Sequence, residues 1–374
     1  MPGPKKGETQ YLVGAFVQAC KLMRAFRKPG ERLLLSDLAA RTGLQKGTVF
    51  RLLYTLHEEG FLEKLPDNFY RLRVTLPRKT KLRLGYTGNQ KDPFTAVVTE
   101  SLLSAAEQAS VEIVCLNNKA SAGVALDNVD ELVDKRVDLA ILFFGNQSLA
   151  GAISNRFLQA DIPMIAIDVF YPGATYFGAN NYQAGLIAGR HMGQWTKSHW
   201  RDLNPTFLLI GYKRVGPLLD MRVKGMLTGI KEIWKDKDAC RFESLDSVGD
   251  LESGYLTVRE YLQRADSGRV IVGAVNDPVA LGALKAFEEA GRIERCVVMG
   301  QNAEFDIRAE LRRPDTRVIG SVAYFPERYG HGIVTLAHRI LSGSHVPPAI
   351  VTKHVLVTRE NLDRLYPNDE LLSE

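Results

Sequence analysis

The sequence predicts an α/β chain. A small N-terminal helix-turn-helix with a hairpin wing precedes two lobes built on parallel, doubly wound sheets. Three observations point there. Apolar residues of the first seventy recur at helical spacing and are interrupted by glycine turns. From about residue 82 onward, short apolar runs alternate with helical segments. Charge is also divided: residues 1–83 carry 17 Lys+Arg and 7 Asp+Glu, while the remainder nets −5 within an overall charge of +5. A basic end on a mildly acidic body is the asymmetry expected of a nucleic-acid-binding arm.

Taken in order, Val13, Phe16, Val17, Cys20 and Met23 fall at i, i+3, i+4, i+7 and i+10, one helical face. Pro29-Gly30 stops that helix. Ser36 is placed to cap a second, short helix, with Asp37 in its first turn and Leu38 facing inward. It ends at Thr42-Gly43, where glycine permits a left-handed turn, and Leu44 drops toward the core. A third helix starts near Gln45 and runs to about Glu59, where Gly60 ends it. Its apolar face is Val49, Leu52, Leu53 and Leu56; Gln45, Lys46, Thr48, Arg51 and Thr55 lie opposite. Phe61–Leu65 and Phe69–Leu72 flank Pro66-Asp67-Asn68 and read as a hairpin.

Two helices around a tight glycine turn, followed by a hairpin, make a winged helix-turn-helix. The major groove of DNA admits one helix, and residues at its N-terminal end reach base edges, which suits Gln45 and Lys46. Arg51 is better placed for a phosphate, as are Lys64, Arg71 and Arg73 on the wing. The candidate DNA-binding residues are therefore Gln45, Lys46, Thr48, Arg51, Lys64 and Arg71. The run LSDLAARTGLQKGTVFRLLYTLHEEGFLE (Leu35–Glu63) resembles the winged helix of IclR-type regulators. It covers about a fifth of the chain. That resemblance implies that Gln45, Lys46, Thr48 and Arg51 face DNA. The alternative for the same fold is a protein-interaction module with a solvated basic face.

Thr75–Lys81 reads as a polar, basic linker. Strands follow at Leu82–Tyr86, Val111–Leu116, Val137–Phe144 and Pro163–Ile167, with helices Pro93–Ala109, Ala122–Lys135 and Leu149–Gln159 between them. The alternation stops near Gly185–Leu203 and then resumes. The second set has strands Phe207–Gly211, Phe242–Leu245, Val270–Ala274, Val297–Gly300 and Val318–Ser321, and helices Leu218–Trp234, Leu251–Arg264, Pro278–Ala290 and Phe305–Arg312. This period means βαβ units and parallel sheets. Two such lobes imply a cleft at the carboxyl ends of their strands, where ligands sit.

The strand ends carry Asp92, Phe94, Asp168, Arg222, Asn276, Asn302 and Tyr324. Carboxylate, arginine and amides bond directionally to neighbouring hydroxyls, and aromatic rings cover the apolar faces of a sugar. Asp277 reads as the N-cap of the helix opened by Pro278. The stretches DPFTAVVTES, IPMIAID, GANNYQAGLIAG, MRVKGM, AVNDPVALGALKA, VVMGQN and GSVAYFPERYG resemble the ribose-binding type of periplasmic binding protein and the effector domain of lactose-repressor-type regulators. The resemblance spans about residues 82–357. It implies a two-lobed type I periplasmic-binding-protein fold with those seven residues as ligand contacts. It also implies the domain plan: residues 1–75 as the head, 76–81 as linker and 82–374 as effector domain. The first lobe would hold about 82–183 and 325–347, the second about 184–324 and 348–374. The chain departs from the ribose type at Val169 (usually Arg), Asn302 (usually Asp) and Tyr324 (usually Gln). The pocket is implied by the likeness; its sugar is not.

Other classes fit poorly. Gly211–Gly216 has the glycine spacing of a phosphate loop, but Pro217 stands where its lysine is needed. The seven histidines show no metal-ligand spacing, and the four cysteines lie far apart, as expected of reduced thiols. No apolar run approaches the twenty residues of a membrane span, and no secretory h-region precedes Lys21. The expectation is a cytoplasmic, non-enzymatic, homodimeric transcription regulator without cofactor or metal. Its partners would be double-stranded operator DNA and a carbohydrate effector. The competing expectation is a transport-type solute-capture protein whose N-terminal segment is an interaction module.

Overall fold

A computed structural model describes residues 13–28, 30–73, 81–89, 93–200, 204–235, 240–264 and 268–369. Asp92 and residues 76–80 of the expected linker lie outside them. The chain divides into two compact units, Met1–Leu82 with Thr335–Val346, and Arg83–Val334 with Pro347–Glu374.

In the first unit, α1 (Gly14–Met23), α2 (Leu35–Thr42) and α3 (Lys46–Glu58) enclose Leu22, Leu38, Leu53 and Leu62. The hairpin strands β1 (Leu62–Lys64) and β2 (Tyr70–Leu72) pair antiparallel, with Glu63 opposite Arg71. Gly43 adopts φ 67° at the end of α2, the left-handed turn expected there. Ser36 does not cap α2. Leu34 is the N-cap, and Asp37 reaches back to accept its N–H at 3.0 Å, leaving Ser36 inside the helix. The predicted face of α1 is only half covered: Met23 is buried, while Val13 and Phe16 are 69% and 68% exposed.

The second unit holds two six-stranded sheets. The first begins with β3 (Arg83–Gly88), α4 (Pro93–Gln108), β4 (Glu112–Asn117), α5 (Ala122–Asp134), β5 (Leu139–Phe143), α6 (Ala150–Gln159), β6 (Met164–Ile167) and β7 (Thr175–Ala179). Next, α7 (Asn181–His199) fills the segment expected to separate the lobes. The second sheet follows with β8 (Thr206–Gly211), α8 (Pro217–Ile233), β9 (Arg241–Asp246), α9 (Leu251–Arg264), β10 (Val270–Ala274), α10 (Asp277–Glu289), β11 (Cys296–Asn302), α11 (Phe305–Arg312) and β12 (Val318–Ala323). The chain ends with α12 (Tyr329–Leu341), β13 (Ala349–Thr352), β14 (Val355–Val357) and α13 (Leu362–Leu365).

The strand orders are β13-β7-β6-β5-β3-β4 and β14-β12-β11-β10-β8-β9. Neighbours are parallel, except β14, which runs antiparallel to β12. The chain passes between the sheets three times, at 180, at 324–328 and at 353–354. The central strands β8, β10 and β11 are buried throughout, which explains their unbroken apolar runs. Strands β7, β13 and β14 and helix α12 were not predicted. β13 and β14 are short edge strands with exposed positions, and β7 carries Gly178. Among the described residues no helix is long and apolar enough to cross a membrane.

Candidate ligand site and nucleic-acid interface

Arg222 projects from the second turn of α8 and is 7% exposed. Its Nε donates to Asn181 Oδ1 at 2.7 Å; its Nη1 donates to the Val275 carbonyl at 2.9 Å and to Asn302 Oδ1 at 3.1 Å. The guanidinium lies 4.4 Å above the Tyr324 ring. Every partner is neutral, and each stands at the end of a different element: the start of α7, the ends of β10 and β11, and the residue after β12. Charge-assisted bonds to rigid termini fix the guanidinium plane.

The helices α7 and α8 touch backbone to backbone, which sets where Arg222 stands. A Cβ on Gly185 would lie 2.0 Å from the Arg222 carbonyl oxygen, and one on Gly225 would lie 2.2 Å from the Tyr182 carbonyl oxygen. Only glycine allows this approach.

Asp168 directly follows β6 in the left-handed region at φ 53°. Its Oδ1 accepts the Ala179 N–H at 2.6 Å. Burial pushes its carboxyl up to about 6, against that hydrogen bond and the Arg222 charge, which favour the anion. Gly178 faces it, and a Cβ there would come within 2.2 Å of Oδ1.

Phe94, in the first turn of α4, packs edge-on against Phe143, Tyr324 and Tyr329 at centroid distances of 5.9–6.5 Å. Tyr324 is fully buried and donates its hydroxyl to Gln301 Oε1 at 2.9 Å. Asn302 also donates through Nδ2 to Glu304 Oε1 at 2.7 Å.

Asn276 is the N-cap of α10: its Oδ1 accepts the Val279 N–H, and its Nδ2 donates to the Gly249 carbonyl. That corrects the expectation for Asp277, which is the first helical residue. Asp277 is buried, accepting from Ser321 Oγ and from the Glu304 N–H. Burial and the Glu304 charge raise its carboxyl well above the usual range.

Asn181, Gln301 and His354 were missed by sequence reasoning. Asn181 and Gln301 lie inside the quoted stretches GANNYQAGLIAG and VVMGQN, but nothing in the pattern ranks them above their neighbours. His354 lies on an unpredicted crossing.

In the first unit, Gln45, Lys46 and Arg51 are exposed along α3, and Lys64 is exposed on β1. Gln45 is the N-cap but makes no side-chain cap bond. Thr48 is half-buried. Arg71 bonds to Glu63 across the hairpin, through Nη2 at 2.5 Å and Nε at 3.1 Å. The exposed face of α3 also carries Gly47, Phe50 and Tyr54, which sequence reasoning did not single out; Phe50 is 56% and Tyr54 60% exposed. Phe50 lines a concavity of about 340 Å³ together with Leu35, Ser36, Lys64 and Asn68.

The fold and this strand-end cluster define a two-lobed binding protein carrying a helix-turn-helix head. Residues 87–345 match the periplasmic binding protein domain, and residues 17–66 match the IclR helix-turn-helix domain. The chain belongs to the periplasmic binding protein domain family, with an IclR-type helix-turn-helix at its N-terminal end. It is 22% identical over 258 residues to the ribose import binding protein RbsB of Salmonella typhimurium, covering 68% of this chain and 83% of the relative. A solute binding protein of Bacillus halodurans with bound myo-inositol superposes with a TM-score of 0.67 at 20% identity, over 78% of this chain and 99% of that one. One from Actinobacillus succinogenes with bound D-allose gives 0.67 at 16% identity, over 76% and 100%. A galactofuranose binding protein gives 0.68 at 16% identity, over 78% and 100%.

Proposed function

We propose that this chain is a ligand-responsive DNA-binding transcription regulator acting in the cytoplasm as a homodimer. The observation that carries the reading is the pairing, in one chain, of an exposed basic helix in an IclR-type head with a buried arginine at the strand ends of a sugar-binding-type fold. The effector is a sugar or polyol. Asp168, Arg222 and Asn302 provide directional bonds to its hydroxyls, and Phe94 provides an apolar wall; Asp92 belongs to the same set. Asn276 and Tyr324 we assign to holding the site, Asn276 by capping α10 and Tyr324 by backing Arg222. Gln45, Lys46 and Arg51 meet the major groove and its phosphates, with Thr48 beside them. Lys64 meets the backbone, and Arg71 does so by exchanging Glu63 for a phosphate. Ligand acts by population shift: it favours one arrangement of the lobes and so changes the operator affinity of the paired heads.

If paired heads neutralise about six phosphates, affinity falls on the order of a thousandfold between 50 and 200 mM salt. A flat salt profile would refute the reading. The Arg222→Ala variant keeps its DNA affinity and loses the effector response, scored by electrophoretic shift across a panel of sugars and polyols that raise the melting temperature of the wild type. The likeness to transport-type binding proteins supports solute capture as the second reading; it predicts sugar binding with no salt-dependent DNA affinity at all.

A further inference from the structure

On α3, residues Gly47, Phe50, Arg51 and Tyr54 stand at i, i+3, i+4 and i+7, a single helical face directed away from the buried Val49, Leu53 and Leu56. Two large aromatic side chains, one turn apart and each more than half exposed, occupy this face. Scattered exposed apolar residues need no explanation, but a contiguous pair does.

Gly47 sharpens the point. Glycine is a poor helix residue, and a Cβ there would meet nothing within 4 Å, so packing within the chain does not require it. What glycine provides is a backbone that another body can approach closely. The face is built to be covered.

Its surroundings say by what. Lys46 and Arg51 flank the pair on α3, and Lys64 lines the same concavity as Phe50. The helix carboxylates Glu58 and Glu59 sit at the far end. Residues 1–83 hold 17 bases against 7 acids. A second copy would bring the same cations to the contact, so charge opposes it. A polyanion with apolar groups on its readable edge satisfies both features, and the thymine 5-methyl of the major groove is such a group.

We propose that Phe50 and Tyr54 are specificity residues of the DNA interface, with the Phe50 ring packed on thymine methyls while Lys46 and Arg51 hold the strand on either side. This rests on the DNA-binding reading above and adds the chemistry of the sequence it selects.

The test uses the full chain and duplexes enriched from a randomised pool. Wild type enriches sites with thymine at fixed positions, and Phe50→Ala and Phe50→Leu enrich sites without that preference there. In the enriched site, replacing those thymines by uracil removes only the methyl. Wild-type affinity then falls roughly fourfold for each packed methyl lost, and Phe50→Ala affinity is unchanged. Both variants keep the wild-type circular dichroism, because Phe50 is exposed. A wild type indifferent to uracil at every position overturns the proposal while leaving DNA binding intact. So does a Phe50→Ala variant that retains the thymine preference, or one that has lost dimerisation instead. Failure to enrich any duplex overturns both this proposal and the DNA-binding reading.

Discussion

Asp168 is held in a backbone conformation that side-chain-bearing residues seldom adopt, and in a protonation range above that of a free aspartate. A left-handed φ of 53° costs about 1 kcal/mol or more for a residue with a side chain. Burial raises its carboxyl from 3.8 to about 6, so at neutral pH the folded chain carries a charge it would rather discharge. The Ala179 N–H and Arg222 offset only part of that penalty. Ligand hydroxyls donating to Oδ2 would offset the rest, which is the physical reason to keep an acid there. Asp168→Asn retains an oxygen to accept the Ala179 N–H and removes the buried charge. It is expected to raise stability at pH 7.5 by about 1–2 kcal/mol in urea unfolding while abolishing the sugar-induced rise in melting temperature. A variant both less stable and still sugar-responsive would show that Asp168 is only a turn former.

Between elements, the decisive contact is the α7–α8 seam. Gly185, Gly189 and Gly193 recur every fourth residue on α7; the first two meet Gly225 and Gly229 on α8, so the two backbones touch, and Gly193 makes room for the Ile233 side chain. Gly185→Ala places a methyl on the Arg222 carbonyl oxygen. It should cost about 1–3 kcal/mol and weaken sugar binding, because Arg222 moves with α8. Gly151→Ala on α6, where a Cβ meets nothing within 4 Å, should instead stabilise by a few tenths of a kcal/mol or more. Equal effects of the two changes in urea unfolding would refute the seam argument. The same glycines explain what sequence reading missed. They dilute the helical apolar pattern of Asn181–His199, so that segment read as a boundary rather than a helix. The buried central strands, by contrast, were legible as unbroken apolar runs, and the head was legible because Gly43 and Gly60 mark its turns. Among site residues, those at strand ends stood out by position. His354 did not, because its role depends on two other crossings far away in sequence.

At the scale of the two-lobed unit, His354 joins all three passages between the sheets. It sits on the 353–354 passage, its Nε2 accepts the Asn180 N–H at 3.0 Å, and its Nδ1 approaches the Ala323 carbonyl oxygen at 3.4 Å. Its ring packs 4.5 Å from that of Tyr324, the side chain on which Arg222 rests. An imidazole that accepts at Nε2 must be neutral there. Burial and the Arg222 charge push its pKa from 6.5 down to about 4, against the Ala323 carbonyl, which favours the cation. The folded chain therefore binds fewer protons than the unfolded chain between about pH 4 and 6.5, and the His354 contribution, on the order of 2–3 kcal/mol, is lost as pH falls through that window. Asp168 acts with the opposite sign over nearly the same range. Its folded pKa is raised, so its contribution is present below about 3.8 and lost as pH rises through about 6. The two groups oppose each other, and wild-type stability should vary little from pH 4 to 6.5 on their account. Substitution separates them. In His354→Gln, whose amide oxygen can still accept the Asn180 N–H, stability should decline as pH rises across the window. In Asp168→Asn it should increase. Urea midpoints measured at half-unit intervals decide the matter. Parallel profiles for wild type and His354→Gln would mean that the imidazole titrates freely and does not hold the three passages together.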